Sequence, residues 1–175
     1  MIENLTNISK TLILSSLIII FISLIFTSYE VNGRSMQPTL EDGDRVLVLK
    51  LNYIKIPFMK EKIIIKYPEK NSLIAFKKKN EDLELVKRVI GFPKEEIDIK
   101  NRTVFINGVI QDQGISVTNP NSDFPIIVEE NCIFVLGDNR NLSNDSRAFG
   151  CVPMENIDGQ IALRFWPLNK FTLYR

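Results

Sequence analysis

Uncharged positions run without a break from Thr11 to Tyr29, "TLILSSLIIIFISLIFTSY", and no run of that length recurs further along the chain. At about 1.5 Å of rise per residue such a run crosses roughly the hydrocarbon thickness of a bilayer, so the pattern predicts one transmembrane helix over residues 11–29. A cleaved leader is the competing reading. It would need an apolar part of about 7 to 15 residues ending in small residues of the A-x-A type, and "FTSYEVNG" offers no such site. Lys10 and the free amino group precede the run, and Glu3 counts for little. The positive-inside rule then places residues 1–10 in the cytoplasm and residues 30–175 outside.

Beyond Glu30 the period shortens. Alternating or apolar runs such as "DRVLVLK", "SLIAFK", "LELVKRVI", "EEIDIK", "CIFVLG" and "GQIALRFW" are separated by turn residues, which predicts an all-β domain. In "TVFINGVIQ", Asn107 and Gly108 sit between two apolar runs, the pattern of a type I′ hairpin. The stretch from Asn119 to Pro125 reads as a loop. Residues 52–70 fit either a strand or a surface loop, and an apolar loop lying on lipid is one functional form of the latter.

Composition narrows the function classes. A 175-residue chain that is 45 % hydrophobic and 25 % charged can hold one anchor and one core-bearing domain. A net charge of +1 gives no field for nucleic acid, and Lys77, Lys78 and Lys79 read as a solvated strand end. Cys132 and Cys151 could pair in an oxidising compartment. A domain of this size does not need a staple, so buried free thiols are the expected state.

Candidate chemistry begins at "VNGRSMQPTLEDGD", residues 31–44, where Ser35 follows the anchor closely. A serine hydroxyl needs a group to take its proton, and the chain contains no histidine. The base must then be a carboxylate, an amine terminus or a neutral lysine. Burial among apolar side chains lowers a lysine pKa, and Lys87 in "LELVKRVIGFP" is set in an apolar strand. Lys87 and Arg88 face opposite sides of that strand, so one of them points inward unless a bulge intervenes. Spacing alone favours an exposed edge position for Lys87.

"GRSMQPTLEDGD", "VKRVIGFP" and "VLGDNRNLSNDSRAFG", in that order after a single span, resemble the bacterial type I signal peptidases, which are membrane-anchored Ser-Lys proteases. The resemblance covers nearly the whole chain. It implies Ser35 as nucleophile, Lys87 as general base, no cofactor, preproteins with signal peptides as substrates, and a place at the bilayer near the secretion machinery. The fold it implies is mainly β: one N-terminal transmembrane helix, then an antiparallel β-sheet catalytic domain over residues 30–175, with residues 94–131 reduced to a small hairpin cap.

Other roles follow from chemistry and resemblance together. Gly33 allows a tight turn before the nucleophile, and the Ser35 N–H is a donor for an oxyanion; the second donor that some members carry on a hydroxyl has no counterpart at Gly33. Met36 suits either a substrate contact or plain core packing. The resemblance places Val31, Leu40 and Val86 around shallow pockets for small side chains. In the polar loop a calcium site is worth testing at Asp138, but EF-hand spacing, the central glycine and the closing glutamate are missing, so no metal is expected. Support is the better account: Ser143 holding the lysine amine, Asp145 and Arg147 locking the loop as a bidentate pair, and Asp138 assisting. The chain departs from the family at Lys94–Glu95, where Gly and an acidic residue are usual, and at Asn71–Ser72, where Gly-Asp is usual. A silent binding domain and a self-cleaving Ser-Lys regulator are the rivals. The intact Ser35 and Lys87 oppose the first, and the membrane run without a basic recognition helix opposes the second.

Overall fold

The computed structural model describes residues 2–50, 53–55, 62–64, 67–78, 83–101, 103–112 and 124–174. Helix α1 runs Ile2–Ile25. Its segment Asn7–Ile25 has a mean hydropathy of 2.3 and is not buried among the described residues. An apolar helix exposed on every side is stable only in apolar surroundings. The apolar run continues to Tyr29, but the helix does not. Strand β1 (Phe26–Glu30) pairs along its whole length with β2 (Arg45–Leu49). The Lys50 amide donates to the Ile25 carbonyl at 2.8 Å, and its Nζ donates to the Ser23 carbonyl at 2.9 Å. These bonds satisfy carbonyls of the last turn, which helix geometry leaves without partners.

The remaining elements build an antiparallel scaffold. A short ladder joins β3 (Tyr53–Lys55) to β4 (Lys62–Ile64), and the rest of residues 51–66, with the lipid-lying reading of that stretch, is outside the described residues. Next come β5 (Leu73–Lys77), β6 (Glu84–Gly91), β7 (Glu96–Lys100), β8 (Thr103–Ile106), β9 (Val109–Asp112) and β10 (Ile126–Ile127). Then follow β11 (Cys132–Leu136), the one-turn helix α2 (Ser146–Phe149), β12 (Val152–Pro153), β13 (Ile157–Trp166) and β14 (Thr172–Leu173). The main sheet has the order β1-β2-β13-β5-β6-β11-β12, with β14 beside β13. This is the mainly β, antiparallel architecture that the alternating runs predict.

A second sheet, β10-β7-β8-β9, forms the cap. At its tip Asn107 (φ 50°) and Gly108 (φ 76°) both take left-handed backbone, as a type I′ turn requires. The Asn107 Oδ1 accepts the Glu96 amide at 2.9 Å, which ties the turn to β7. Ile90, Ile97, Phe134 and Leu136 share one core that joins the cap to the main sheet. Residues 113–123, and so most of the loop expected before Pro125, are outside the described residues.

Both departures from the family pattern fall in turns that keep a left-handed residue. Lys94 has φ 70° and Asn71 has φ 66°. The Phe92 amide donates to Glu95 Oε2 at 2.8 Å and Ser72 Oγ donates to the Glu69 carbonyl at 2.7 Å, so side-chain bonds brace both turns. The expectation of free thiols is overturned: Cys132 and Cys151 form a disulfide. β12 pairs with β11 through Cys132↔Pro153, so the chain returning after α2 brings Cys151 back with Cα atoms 5.6 Å apart.

Candidate active site

Ser35 lies on the loop between β1 and β2. This loop has no ladder of its own and is held by turns. Gly33 (φ 102°) takes backbone that side chains disfavour, and its amide donates to Asp42 Oδ1 at 2.6 Å. Met36 is buried, and its carbonyl accepts the Leu40 amide at 2.9 Å. Below the loop Val31, Met36, Leu40, Val46 and Val48 form one core. The Ser35 carbonyl accepts the Asn139 amide at 2.9 Å, so the polar loop after β11 holds Ser35 directly.

Lys87 comes from β6, a strand flanked by β5 and β11 rather than an edge. Its burial, at 2 % exposure, overturns the edge position that spacing favours. Nζ donates to Ser35 Oγ at 2.7 Å and to the Val86 carbonyl at 3.0 Å. Burial lowers the amine pKa from its ordinary value to about 8, although Asp145 and Asp138 pull it back upward. Neither carboxylate holds the amine, because each faces an arginine.

Arg147 Nε and Nη2 donate to Asp145 Oδ1 and Oδ2 at 2.8 and 2.9 Å, the expected bidentate pair, and Nη2 also donates to the Arg140 carbonyl at 2.6 Å. Asp145 further accepts the Gly137 amide at 3.0 Å and caps α2 by accepting the Arg147 amide. Asp138 takes the same kind of fork from Arg88, with bonds of 2.7 and 2.5 Å from Nε and Nη2. Arg88 was read from the sequence only as the residue opposite Lys87. The acidic residue in the third motif, which must find a cation if buried, was the available signal for its role.

Ser143 departs from expectation. Its buried Oγ has no hydrogen-bond partner among the described residues, and Lys87 takes Ser35 and Val86 instead. The hydroxyl sits against Gly137, where a Cβ would collide with it and would lie 2.6 Å from the Ser35 carbonyl oxygen. Gly137 was not singled out in the sequence, and close approach of the two loops is the reason only glycine fits.

A cleft of about 400 Å³ opens beside the pair, lined by Val31, Met36 and Val86 as expected, and also by Tyr29, Ala75 and Leu83. Leu40 is fully buried and does not reach it; it packs under the loop that carries Ser35 instead. The arrangement is that of a hydroxyl touching an amine of lowered basicity, in a cleft lined by apolar side chains together with Glu30, Asn32 and Glu84. Asp138 and Asp145 are both engaged by arginines.

A family model described as signal peptidase, peptidase S26, matches residues 5–166. Signal peptidase IB of Staphylococcus aureus (strain Mu50 / ATCC 700699) is 34% identical over 88% of this chain and 86% of its own length. Signal peptidase I of Bacillus caldolyticus is 36% identical over 84% of this chain and 83% of its own. Among solved structures, a signal peptidase I from Enterococcus faecalis V583 is 32% identical, covers 55% of this chain and 97% of its own, and aligns with a TM-score of 0.47. Ser35, Lys87 and the polar loop all fall within the matched residues, and the chain belongs to the S26 peptidase family of signal peptidases.

Proposed function

We propose that this protein is a membrane-anchored serine endopeptidase that removes N-terminal signal peptides from exported preproteins, with Ser35 as nucleophile and Lys87 as general base. The observation that carries the reading is the 2.7 Å contact between Lys87 Nζ and Ser35 Oγ in a buried setting. When the amine is charged it donates to the hydroxyl; when neutral, it accepts the hydroxyl proton across the same distance. Oγ then attacks the scissile carbonyl, and the Ser35 N–H faces the developing oxyanion. The protonated amine returns its proton to the leaving peptide nitrogen. In the second half Lys87 takes a proton from water, which attacks the ester and frees Ser35.

Val31, Met36 and Val86 supply an aliphatic wall for small substrate side chains. Residues 1–10 lie on the cytoplasmic side, the part of α1 from residue 11 to Ile25 crosses the bilayer, and the β-domain with its cap lies on the outer surface, close to the secretion machinery. Because a signal peptide's apolar segment shares that bilayer, anchoring raises its effective concentration at the cleft. The test uses the detergent-solubilised full chain, one preprotein and mapping of the cut. Ser35→Ala is expected to abolish a single cut after the signal segment while leaving the melting temperature unchanged. Continued cutting by that variant at the same bond would refute the assignment.

A further inference from the structure

Arg164 lies on β13, far in sequence from the nucleophile, yet its guanidinium binds the loop that carries Ser35. Nη1 donates to Asp44 Oδ2 at 2.8 Å and to the Thr39 carbonyl at 3.2 Å. Nε donates to the Lys170 carbonyl at 2.8 Å and Nη2 to Thr172 Oγ1 at 3.1 Å. One side chain thus joins β13, the turn after Ser35 and the strap of residues 168–174. The side chains of Arg164 and Asp44 are only 12% and 3% exposed, so water screens this pair little.

The strap reaches the same turn twice more. Tyr174 OH donates to the Thr39 carbonyl at 3.2 Å, and Lys170 Nζ donates to Glu41 Oε2 at 2.7 Å. Tyr174 is itself fixed, since its amide donates to the Ala162 carbonyl at 2.9 Å and its ring packs with the core under the nucleophile. Asp44 passes the restraint on: its Oδ2 accepts the Glu41 amide at 2.8 Å and its carbonyl accepts the Val31 amide at 2.8 Å. Both ends of the loop from Val31 to Asp44 are therefore tied, with Ser35 between them.

We propose that Arg164 is a positioning residue for the reaction, using the strap of residues 168–174 as a clamp that keeps Ser35 Oγ in register with Lys87. The inference rests on the Ser35–Lys87 reading. The loop lacks a ladder, and a misplacement of about 1 Å can cost on the order of 100-fold in rate. Lysine in place of Arg164 keeps the charge that Asp44 needs but cannot span the turn and the strap together.

The experiment measures kcat, KM and the pH midpoint of kcat for the full-length wild type, Ser35→Ala, Arg164→Lys and Tyr174→Phe in detergent, below each melting temperature, with one preprotein. Arg164→Lys is expected to lose about 10- to 100-fold in kcat with KM within about twofold. Its pH midpoint should rise from that of the wild type, because a loosened Ser35 lets water reach the lysine. Tyr174→Phe, which removes one bond and no charge, should show a smaller loss of kcat. Wild-type kcat and midpoint in a folded Arg164→Lys protein would overturn the proposal even if its melting temperature fell, and so would a loss confined to KM. If Arg164→Lys does not fold, Tyr174→Phe decides by the same criteria. An inactive wild type, or an active Ser35→Ala, would instead count against the Ser35–Lys87 reading itself.

Discussion

Two buried cations, Lys87 on strand β6 and Arg147 on the one-turn helix α2, are treated in opposite ways. Arg147 has a carboxylate fork, a backbone carbonyl and a loop wrapped around it. Lys87 has a hydroxyl and a backbone carbonyl, and no carboxylate in hydrogen-bond contact among the described residues. A guanidinium cannot give up its proton in a protein, so burying it requires a counter-ion and yields a rigid support. An amine can give up its proton, so burying it without a counter-ion yields a base. The arginine forks on Asp145 and Asp138 serve both ends: they lock the polar loop and keep those carboxylates from holding the lysine charged.

The strongest way to break this contrast is to make the two cations alike. Lys87→Arg keeps positive charge at the site and removes the proposed base, so cleavage should fall by about 100- to 10,000-fold at any pH where the fold survives. In the wild type, log kcat should climb with pH up to about 8, where the amine loses its proton, and then level off. Substantial cutting by Lys87→Arg at high pH would show that another group takes the serine proton.

Arg147→Ala attacks the other side. It leaves Asp145 buried without its partner, a change expected to cost about 3 to 5 kcal/mol of stability by denaturant titration. Activity should fall with stability rather than independently of it. A fully stable, inactive Arg147→Ala protein would move the arginine from support to chemistry.

Reduction of Cys132–Cys151 gives a gentler test of the same division. The closed ring, with a sequence separation of 19, contains Asp138, Ser143, Asp145 and Arg147, while Ser35 and Lys87 lie outside it. Opening a ring of that size should cost about 3 kcal/mol in the chain-entropy account. The pH midpoint of cleavage should stay where it was, and a midpoint that moved would mean that the ring sets the lysine environment.

The smallest effect separates function from stability at Lys87 itself. Its folded pKa, about 8, lies below its ordinary value of 10.5. Between those two pH values the unfolded chain binds more protons than the native one, so stability rises with pH across that window, and below it the whole penalty is present. Lys87→Met should therefore be inactive yet more stable than the wild type near pH 7, by up to about 3 kcal/mol. The advantage should fade as pH rises through the window. A constant difference between the two melting curves would argue against a depressed lysine pKa.

The sequence discloses the parts whose logic is local. The alternating strands and the Asn107–Gly108 turn depend on neighbours in the chain and are found where the pattern puts them, whereas the helix expected over residues 11–29 runs Ile2–Ile25 and gives way to a strand. Ser35 and Lys87 meet as the family resemblance implies, although spacing alone favours an exposed Lys87. Partners chosen in three dimensions were not legible. Phe26–Tyr29 is apolar enough for a bilayer and for a strand, and only the β2 ladder decides between them. Cys132 and Cys151 meet because β12 returns along β11, which spacing does not reveal. Ser143 Oγ lies against Gly137 without a hydrogen-bond partner among the described residues, and Leu40 is taken up by the core that also holds Met36 and Val31. Arg88 and Arg164 act through carboxylates in other motifs, so no local signal marks them.

The passage from α1 to β1 contains no linker. Ile25 ends the helix, Phe26 begins the strand, and Tyr29 already lines the cleft. Four residues of extended chain reach at most about 14 Å. With α1 in the bilayer, the cleft stands no further than that from the outer end of the anchor, and Lys50 clips the helix end to the sheet so that this height does not drift. On the proposed membrane-anchored reading, a second chain whose own apolar segment ends at the same membrane surface meets Ser35 after a comparably short extended stretch, so the anchor would also act as a ruler for where along that chain a cut falls.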